Sequence, residues 1–227
     1  MGRCVLFLVR ALAEVLASTV APNRCAACDA DVPPMTAFCQ ACAATLTLPE
    51  ARPDPSHLAA FVYGGAIAQA ITRLKFERRP DVARPLAAAL RRAARALAAD
   101  PPDVVIPVPL HPRRLVERGY NQSALLAGPV ARDLRARFLP RALGRCRDTL
   151  AQATLQRADR LTNLEGAFHV RRPGDVRGRR ALVVDDVRTT GATLYACAAT
   201  LLEAGAREVR TLVVAETEGG RRPIGYP

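Results

Sequence analysis

The sequence predicts an α/β protein, a parallel sheet flanked by helices, with a small four-cysteine module ahead of it. Short strand-like runs at 103–106 (Asp-Val-Val-Ile) and 181–184 (Ala-Leu-Val-Val) alternate with segments whose apolar residues recur at helical spacing, and such alternation builds parallel sheets. Two Cys-x-x-C pairs, Cys25/Cys28 and Cys39/Cys42, precede that alternation and have the spacing of a metal-binding ribbon.

The chain of 227 residues has room for one medium domain and an appendage. Half of it is apolar, but aromatics make up only 4% and tryptophan is absent, so Ala, Leu and Val must form the core. The net charge of +12 is carried almost entirely by arginine, and Lys75 is the only lysine. Such a bias often reflects coding composition. The charge suits polyphosphate ligands or DNA without singling out either. Of seven cysteines, Cys4, Cys146 and Cys197 are scattered; the paired four read as metal ligation in a reducing compartment, so a cytoplasmic location is expected.

From the start, Leu6, Val9, Leu12, Ala13, Leu16 and Val20 recur at helical spacing, so 1–21 is expected to be an amphipathic helix. The apolar run before Arg10 is too short to span a membrane, and no clean signal-peptide pattern follows. Residues 22–50 form the cysteine module, with a turn-rich hairpin at 29–34. Its two thiolate pairs would close a tetrahedral site, for which Zn²⁺ is the default ion, and metal binding would supply the folding free energy of so small a core.

A proline-rich linker at 49–56 leads into the main domain, 56–217. Tyr63-Gly64-Gly65 opens a helix to Lys75-Phe76, and Asp81 caps a second helix to about Ala99. After the strand at 103–106, Gly119-Tyr120-Asn121 precedes a helix that Gly128-Pro129 should kink or restart. Residues 140–180 read as irregular apart from a strand at 167–170. The strand at 181–184, a helix and a last strand at 208–215 complete a right-handed β-α-β unit, and the tail 218–227 reads as loose.

The chemistry concentrates at Ala181–Leu194. A buried strand meets two carboxylates, Asp185 and Asp186, then a loop of hydroxyls and one glycine, then a helix. Backbone N–H groups at a helix N-terminus favour an anion such as a phosphate monoester, and Thr189, Thr190 and Thr193 add hydroxyl donors. Gly191 permits a conformation or an approach that a side chain would block. An acid pair beside an anion nest repels bare phosphate but accepts from a vicinal diol, so the chemical reading is a ribose 5-phosphate site. A second basic segment runs from Pro107 to Gln122. Prolines stiffen an extended loop, and Arg113, Arg114 and Arg118 offer guanidinium forks to phosphate oxygens or form a solvated basic loop. His111 reads as a polar contact, a general acid or a turn residue.

The first of these segments closely resembles the phosphoribosyl-diphosphate (PRPP) motif of type I phosphoribosyltransferases. The resemblance implies a phosphoribosyltransferase-like sheet in which Asp185 and Asp186 hold the ribose hydroxyls. Arg188, Thr189, Thr190, Gly191, Ala192 and Thr193 then wrap the 5-phosphate, and Arg113, Arg114, Arg118 and Lys75 face the pyrophosphate. The order of motifs narrows the likeness: the double Cys-x-x-C, then Pro107-Val-Pro-Leu-His111-x-x-Arg114 with Glu117-Arg-Gly-Tyr-Asn-Gln122, then Gln152, Leu155, Arg160, Asn163 and Gly166-Ala-Phe168. Together they resemble the ComF family of competence-associated phosphoribosyltransferase-like proteins. Pro129, Thr154 and Gln156 depart from that pattern.

What this implies is displacement of pyrophosphate from C1 of PRPP, with Mg²⁺ accompanying the ligand and an acceptor held by the irregular 140–170 hood. The alternative is a non-catalytic module that binds single-stranded DNA or responds to nucleotides, linked to DNA uptake and other competence proteins.

Overall fold

A computed structural model describes residues 23–50, 56–147 and 166–217. The expected helix over 1–21, Gln152, Arg160, Asn163 and the tail lie outside these residues. The cysteine module contains one short helix, α1 (Gln40–Ala43), and a bridge between Arg24 and Asp31 that closes the hairpin.

The main domain runs β1 (His57–Val62), α2 (Gly65–Phe76), α3 (Ala83–Ala93), β2 (Val104–Pro107), α4 (Pro112–Arg118), α5 (Gln122–Asp133), β3 (Arg137–Phe138), β4 (Leu143–Arg145), β5 (Phe168–Val170), β6 (Arg180–Arg188), α6 (Ala192–Glu203) and β7 (Glu208–Glu216). Five strands form one sheet in the order β1-β7-β6-β2-β3, and every pairing is parallel. β4 and β5 pair separately and antiparallel.

Alternation along β6 divides the core. Leu182 and Val184 face α2, α3 and α5, where Ile67, Leu74, Leu86, Leu90 and Leu126 are fully buried. Ala181 and Val183 face α6 and the β4–β5 pair, against Leu194, Cys197 and Leu201. Each fully buried leucine contributes about 1.5–3 kcal/mol relative to exposure, so a sheet covered on both faces needs few aromatics.

Several expectations are corrected. β1 lies where no strand was expected, because its small residues, Leu58-Ala59-Ala60, lack a β-branched signature. The expected extended basic loop is partly the helix α4, begun by Pro112 at its first position. Asp81 does not cap the following helix; it lies in a 3₁₀ turn, and its carboxylate takes hydrogen bonds from Arg79. Pro129 neither ends nor restarts α5. The carbonyl it deprives, that of Leu125, belongs to an exposed residue. β6 does not stop before the acid pair but continues to Arg188, because β7 still pairs with it there.

The cysteine module is tied to the domain on both sides of residues 51–55. Val62 N–H donates to the Thr47 carbonyl, and Ala66 N–H, in the first turn of α2, donates to Thr45 Oγ1 at 3.0 Å. Gly65 makes this approach possible: its φ is +47°, and a Cβ there would lie 2.9 Å from the Thr45 carbonyl oxygen and 2.7 Å from its hydroxyl. Gly65→Ala is therefore expected to destabilise the protein by about 2–4 kcal/mol, from overpacking plus left-handed strain. Urea unfolding measures this, and a variant within 0.5 kcal/mol of wild type would contradict the contact.

Candidate functional site

The acid pair lies in β6 just beyond the point where one neighbouring strand leaves. β2 pairs with β6 as far as Pro107 opposite Val184, and Val108 N–H adds a last bond to the Val184 carbonyl. Asp185 and Asp186 follow at once, both buried. Two adjacent carboxylates out of water would each cost several kcal/mol without compensation.

Each has a specific partner. Lys75 Nζ, from the last turn of α2, lies 2.6 Å from Asp186 Oδ1. Ser123 Oγ, from the first turn of α5, donates to Asp185 Oδ1 at 2.7 Å, and the Asp186 backbone N–H donates to the same oxygen. Asp186 Oδ2 is buried and takes no hydrogen bond from the described residues. Burial, and then the charge of Asp186, push the Asp185 carboxyl up to about 7. Burial works against the Lys75 ammonium, yet the charges of Asp186 and Asp185 hold it above its ordinary value.

The threonine loop leads from β6 into α6. Gly191 has φ +81°, and the first helical bond runs from Tyr195 N–H to the Gly191 carbonyl. The amides of Ala192, Thr193 and Leu194 therefore precede the helical ladder. Thr190 Oγ1 takes a 3.4 Å hydrogen bond from Ala192 N–H, and Thr217 Oγ1 donates to the Thr189 carbonyl. Arg188 does not point into solvent. It is buried beneath the loop, with Nη1 3.8 Å from Glu216 Oε2, and a Cβ on Gly191 would come within 3.1 Å of its Nε. Gly191 thus meets both needs expected of it, a left-handed backbone and a close approach.

The Gly119–Ser123 block fixes α4 and α5 to the acid pair. Tyr120 Oη donates to the Leu74 carbonyl at 2.5 Å, and Asn121 Nδ2 to the Val108 carbonyl at 3.0 Å. Asn121 Oδ1 caps α5 by accepting from Ser123 N–H. Arg118 donates to Gln122 Oε1, and burial lowers its guanidinium against the opposing pull of Asp186. Arg114 is near enough to contribute to that lowering. Arg113 instead pairs with Glu117 at 3.0 Å on the exposed side of α4. His111 stands at the start of α4, where its Nδ1 accepts from Arg113 N–H. The sequence assigns no separate role to Ser123 or Tyr120; the Asn121-x-Ser123 cap spacing is a signal for the first, and Tyr120 stands out only as part of the Glu117–Gln122 block.

The four cysteine sulfurs lie within 4.8 Å of one another and could hold a metal ion. Cys28 and Cys39 Sγ are 3.7 Å apart, close to the separation of about 3.8 Å that tetrahedral geometry gives for metal–sulfur bonds of about 2.3 Å. Burial raises the Cys25 thiol, but amide donors from Cys28, Cys39 and Ala27 outweigh it and bring the group to about 6. Such amides favour a thiolate, so the donor set fits a thiolate-bound cation. Arg73 ties this cluster to α2: it donates to the Cys25 carbonyl at 3.3 Å and lies 3.1 Å from Asp29 Oδ2. Arg79 also grips Asp29, whose carboxyl is held below its usual range by that hydrogen bond. No helix of the described residues is long and apolar enough to cross a membrane.

Residues 121–227 match the model of the phosphoribosyl transferase domain. The DNA utilization protein YhgH of Escherichia coli O6:H1 is 38% identical over 159 residues, covering 68% of this chain and 69% of that protein. Competence protein F of Haemophilus influenzae is 36% identical over 145 residues, covering 62% and 63%. Adenine phosphoribosyltransferase of Nocardia farcinica is 52% identical over a shorter stretch of 56 residues, 23% of this chain and 29% of that enzyme.

Folded Asp185 keeps its proton to about pH 7, whereas in the unfolded chain it releases it near pH 4. The folded state binds the extra proton between these values, so this group's contribution to stability is lost as pH rises through that window. Wild type is therefore expected to lose melting temperature relative to Asp185→Asn from about pH 4 to about pH 7; parallel profiles would contradict a raised Asp185. A chelator able to strip a thiolate-bound ion is expected to lower the melting temperature of the full chain, and to do so much less in Cys28→Ser. An unaffected wild type would mean that the cluster holds no stabilising ion.

Proposed function

The chain belongs to the ComF family of phosphoribosyltransferase-like proteins, and from that premise we propose that it binds PRPP with Mg²⁺ at the acid pair and threonine loop. The observation that carries the proposal is the buried Asp186 Oδ2, an acceptor without a donor among the described residues, on the strand that leads through the threonine loop into α6. A vicinal diol supplies the donors that this carboxylate lacks, and a 5-phosphate suits the amides and the Thr189, Thr190 and Thr193 hydroxyls.

In this reading Asp185 and Asp186 accept from the ribose hydroxyls, Gly191 and Ala192 present backbone to the phosphate, and Arg188 braces the loop with its charge from beneath. Lys75, Arg114 and Arg118 face the pyrophosphate, with Arg113 joining them from the exposed side of α4. Mg²⁺ accompanying PRPP would neutralise charge on the departing group.

The reaction that this arrangement serves is transfer of the pentosyl group. The C1–oxygen bond of PRPP breaks with its electron pair leaving on pyrophosphate, and the lone pair of an acceptor nitrogen forms the new C1–N bond. The acceptor's proton passes to solvent. The transition state has oxocarbenium character, so the carboxylates stabilise it electrostatically while the cationic side chains hold the leaving group. Zn²⁺ is the ion proposed for Cys25, Cys28, Cys39 and Cys42, as a closed structural site. Thiolates kept for a metal ion suit a reducing compartment, and the cytoplasm is the location proposed. The names of the relatives, DNA utilization protein and competence protein, support a role in DNA uptake.

PRPP with Mg²⁺ is expected to raise the melting temperature of wild type by several degrees at saturating ligand. The Asp185→Asn/Asp186→Asn double variant should show no such rise. An equal rise in both proteins would remove the ribose role of the acid pair.

A further inference from the structure

Outside the sheet that carries the acid pair, the antiparallel strands β4 and β5 bring a thiol and an imidazole together. Gly144 stands opposite His169, and Cys146 follows two residues on, so Cys146 and His169 share a face. Cys146 N–H donates to the Ala167 carbonyl, which fixes the backbone there. Cys146 Sγ lies 2.9 Å from His169 Nδ1, and both residues are exposed. The imidazole owes this position to the glycine opposite it. A Cβ on residue 144 would lie 2.3 Å from His169 Cε1 and 2.5 Å from its Nε2, so any side chain there would displace the ring. Residues 141–147 and 166–172 carry five arginines and no carboxylate. Of these, Arg171 continues the face of His169, exposed, with its N–H on the Ala142 carbonyl. Cys197 is the contrasting case: it is fully buried, and burial pushes its thiol up.

We propose that Cys146 is a nucleophilic thiol with His169 as its base, and that it takes a thiol adduct from a small disulfide bearing carboxylates. The attacking form is the thiolate. His169 Nδ1 accepts the Cys146 proton, and Sγ then forms a bond to one sulfur of the disulfide. The S–S bond of the reagent breaks with its electron pair on the other sulfur, and the imidazolium returns the proton to that departing thiolate. One protein thiol and one disulfide thus give one mixed disulfide and one free thiol, with the small disulfide as the oxidant. Carboxylates on the reagent suit the arginine surroundings, Arg171 first, whereas a cationic disulfide is repelled by them. The pair belongs neither to the cysteine cluster nor to the acid pair, so the step needs neither a bound metal nor PRPP.

The test incubates the full-length protein with glutathione disulfide or with cystamine, a cationic disulfide, and locates adducts by peptide mapping over time. Glutathione is expected on Cys146 ahead of every other cysteine, and faster than cysteamine from cystamine. The glutathione rate should fall about tenfold or more in His169→Gln, which stays polar but takes no proton. It should fall similarly in Gly144→Ala, which keeps both reacting side chains but removes the seat of the ring. His169→Gln alters an exposed side chain, so the test does not depend on the glycine variant remaining folded. Arg171→Glu should slow glutathione and speed cystamine. A wild-type rate in His169→Gln, or no preference for Cys146 over the other cysteines, overturns the proposal. Equal rates with the two disulfides overturn the choice of an anionic reagent.

Discussion

The structure depends on how two consecutive carboxylates survive inside the protein. Asp185 and Asp186 are side by side on β6, flanked by apolar strand residues, and neither would remain buried and charged unaided. Lys75 supplies the opposite charge from α2, and Ser123 supplies a hydroxyl from α5. Those two contacts fix where the end of one helix and the beginning of another must stand. Tyr120 and Asn121 repeat the constraint from the intervening turn by bonding to the Leu74 and Val108 carbonyls. The acid pair is thus as much a positional standard for its surroundings as a candidate ligand contact.

A second constraint reaches the same helix from the other side. Arg73, two residues before Lys75, is buried against the cysteine module, where it meets the Cys25 carbonyl and Asp29. Arg73 and Lys75 therefore anchor one turn of α2 to the cysteine cluster and to β6. Thr45 caps the other end of the helix through Ala66 N–H. The small module holds α2 at both termini. That contact explains why so few core residues suffice within it: Phe38 and Leu46 pack outward, onto the core of the main domain.

What the sequence made legible follows from how local each signal is. The strand at 181–184, the helix after it and the strand at 208–215 were readable, because apolar runs and changes of period are contained in a dozen residues. β1 was missed because its alanines carry no β signal, and only pairing with β7 makes it a strand. The prolines before α4 suggest an extended path, whereas Pro112 occupies the first helical position, where no backbone N–H is needed. At the site, the identities of the acid pair, the threonine loop and Lys75 were visible. The partnership of Ser123 with Asp185, 62 positions apart, and of Arg73 with Asp29 were not, since they exist only after folding.

The solitary lysine has a consequence for chemistry performed on the protein. Every other cationic side chain here is a guanidinium or an imidazole, so a reagent selective for primary amines finds one side-chain target, at the heart of the acid pair. Isotopic methylation of that amine would place a single resonance beside Asp186. Acylation by a cellular metabolite would erase the positive charge there and leave the neighbouring carboxylate uncompensated.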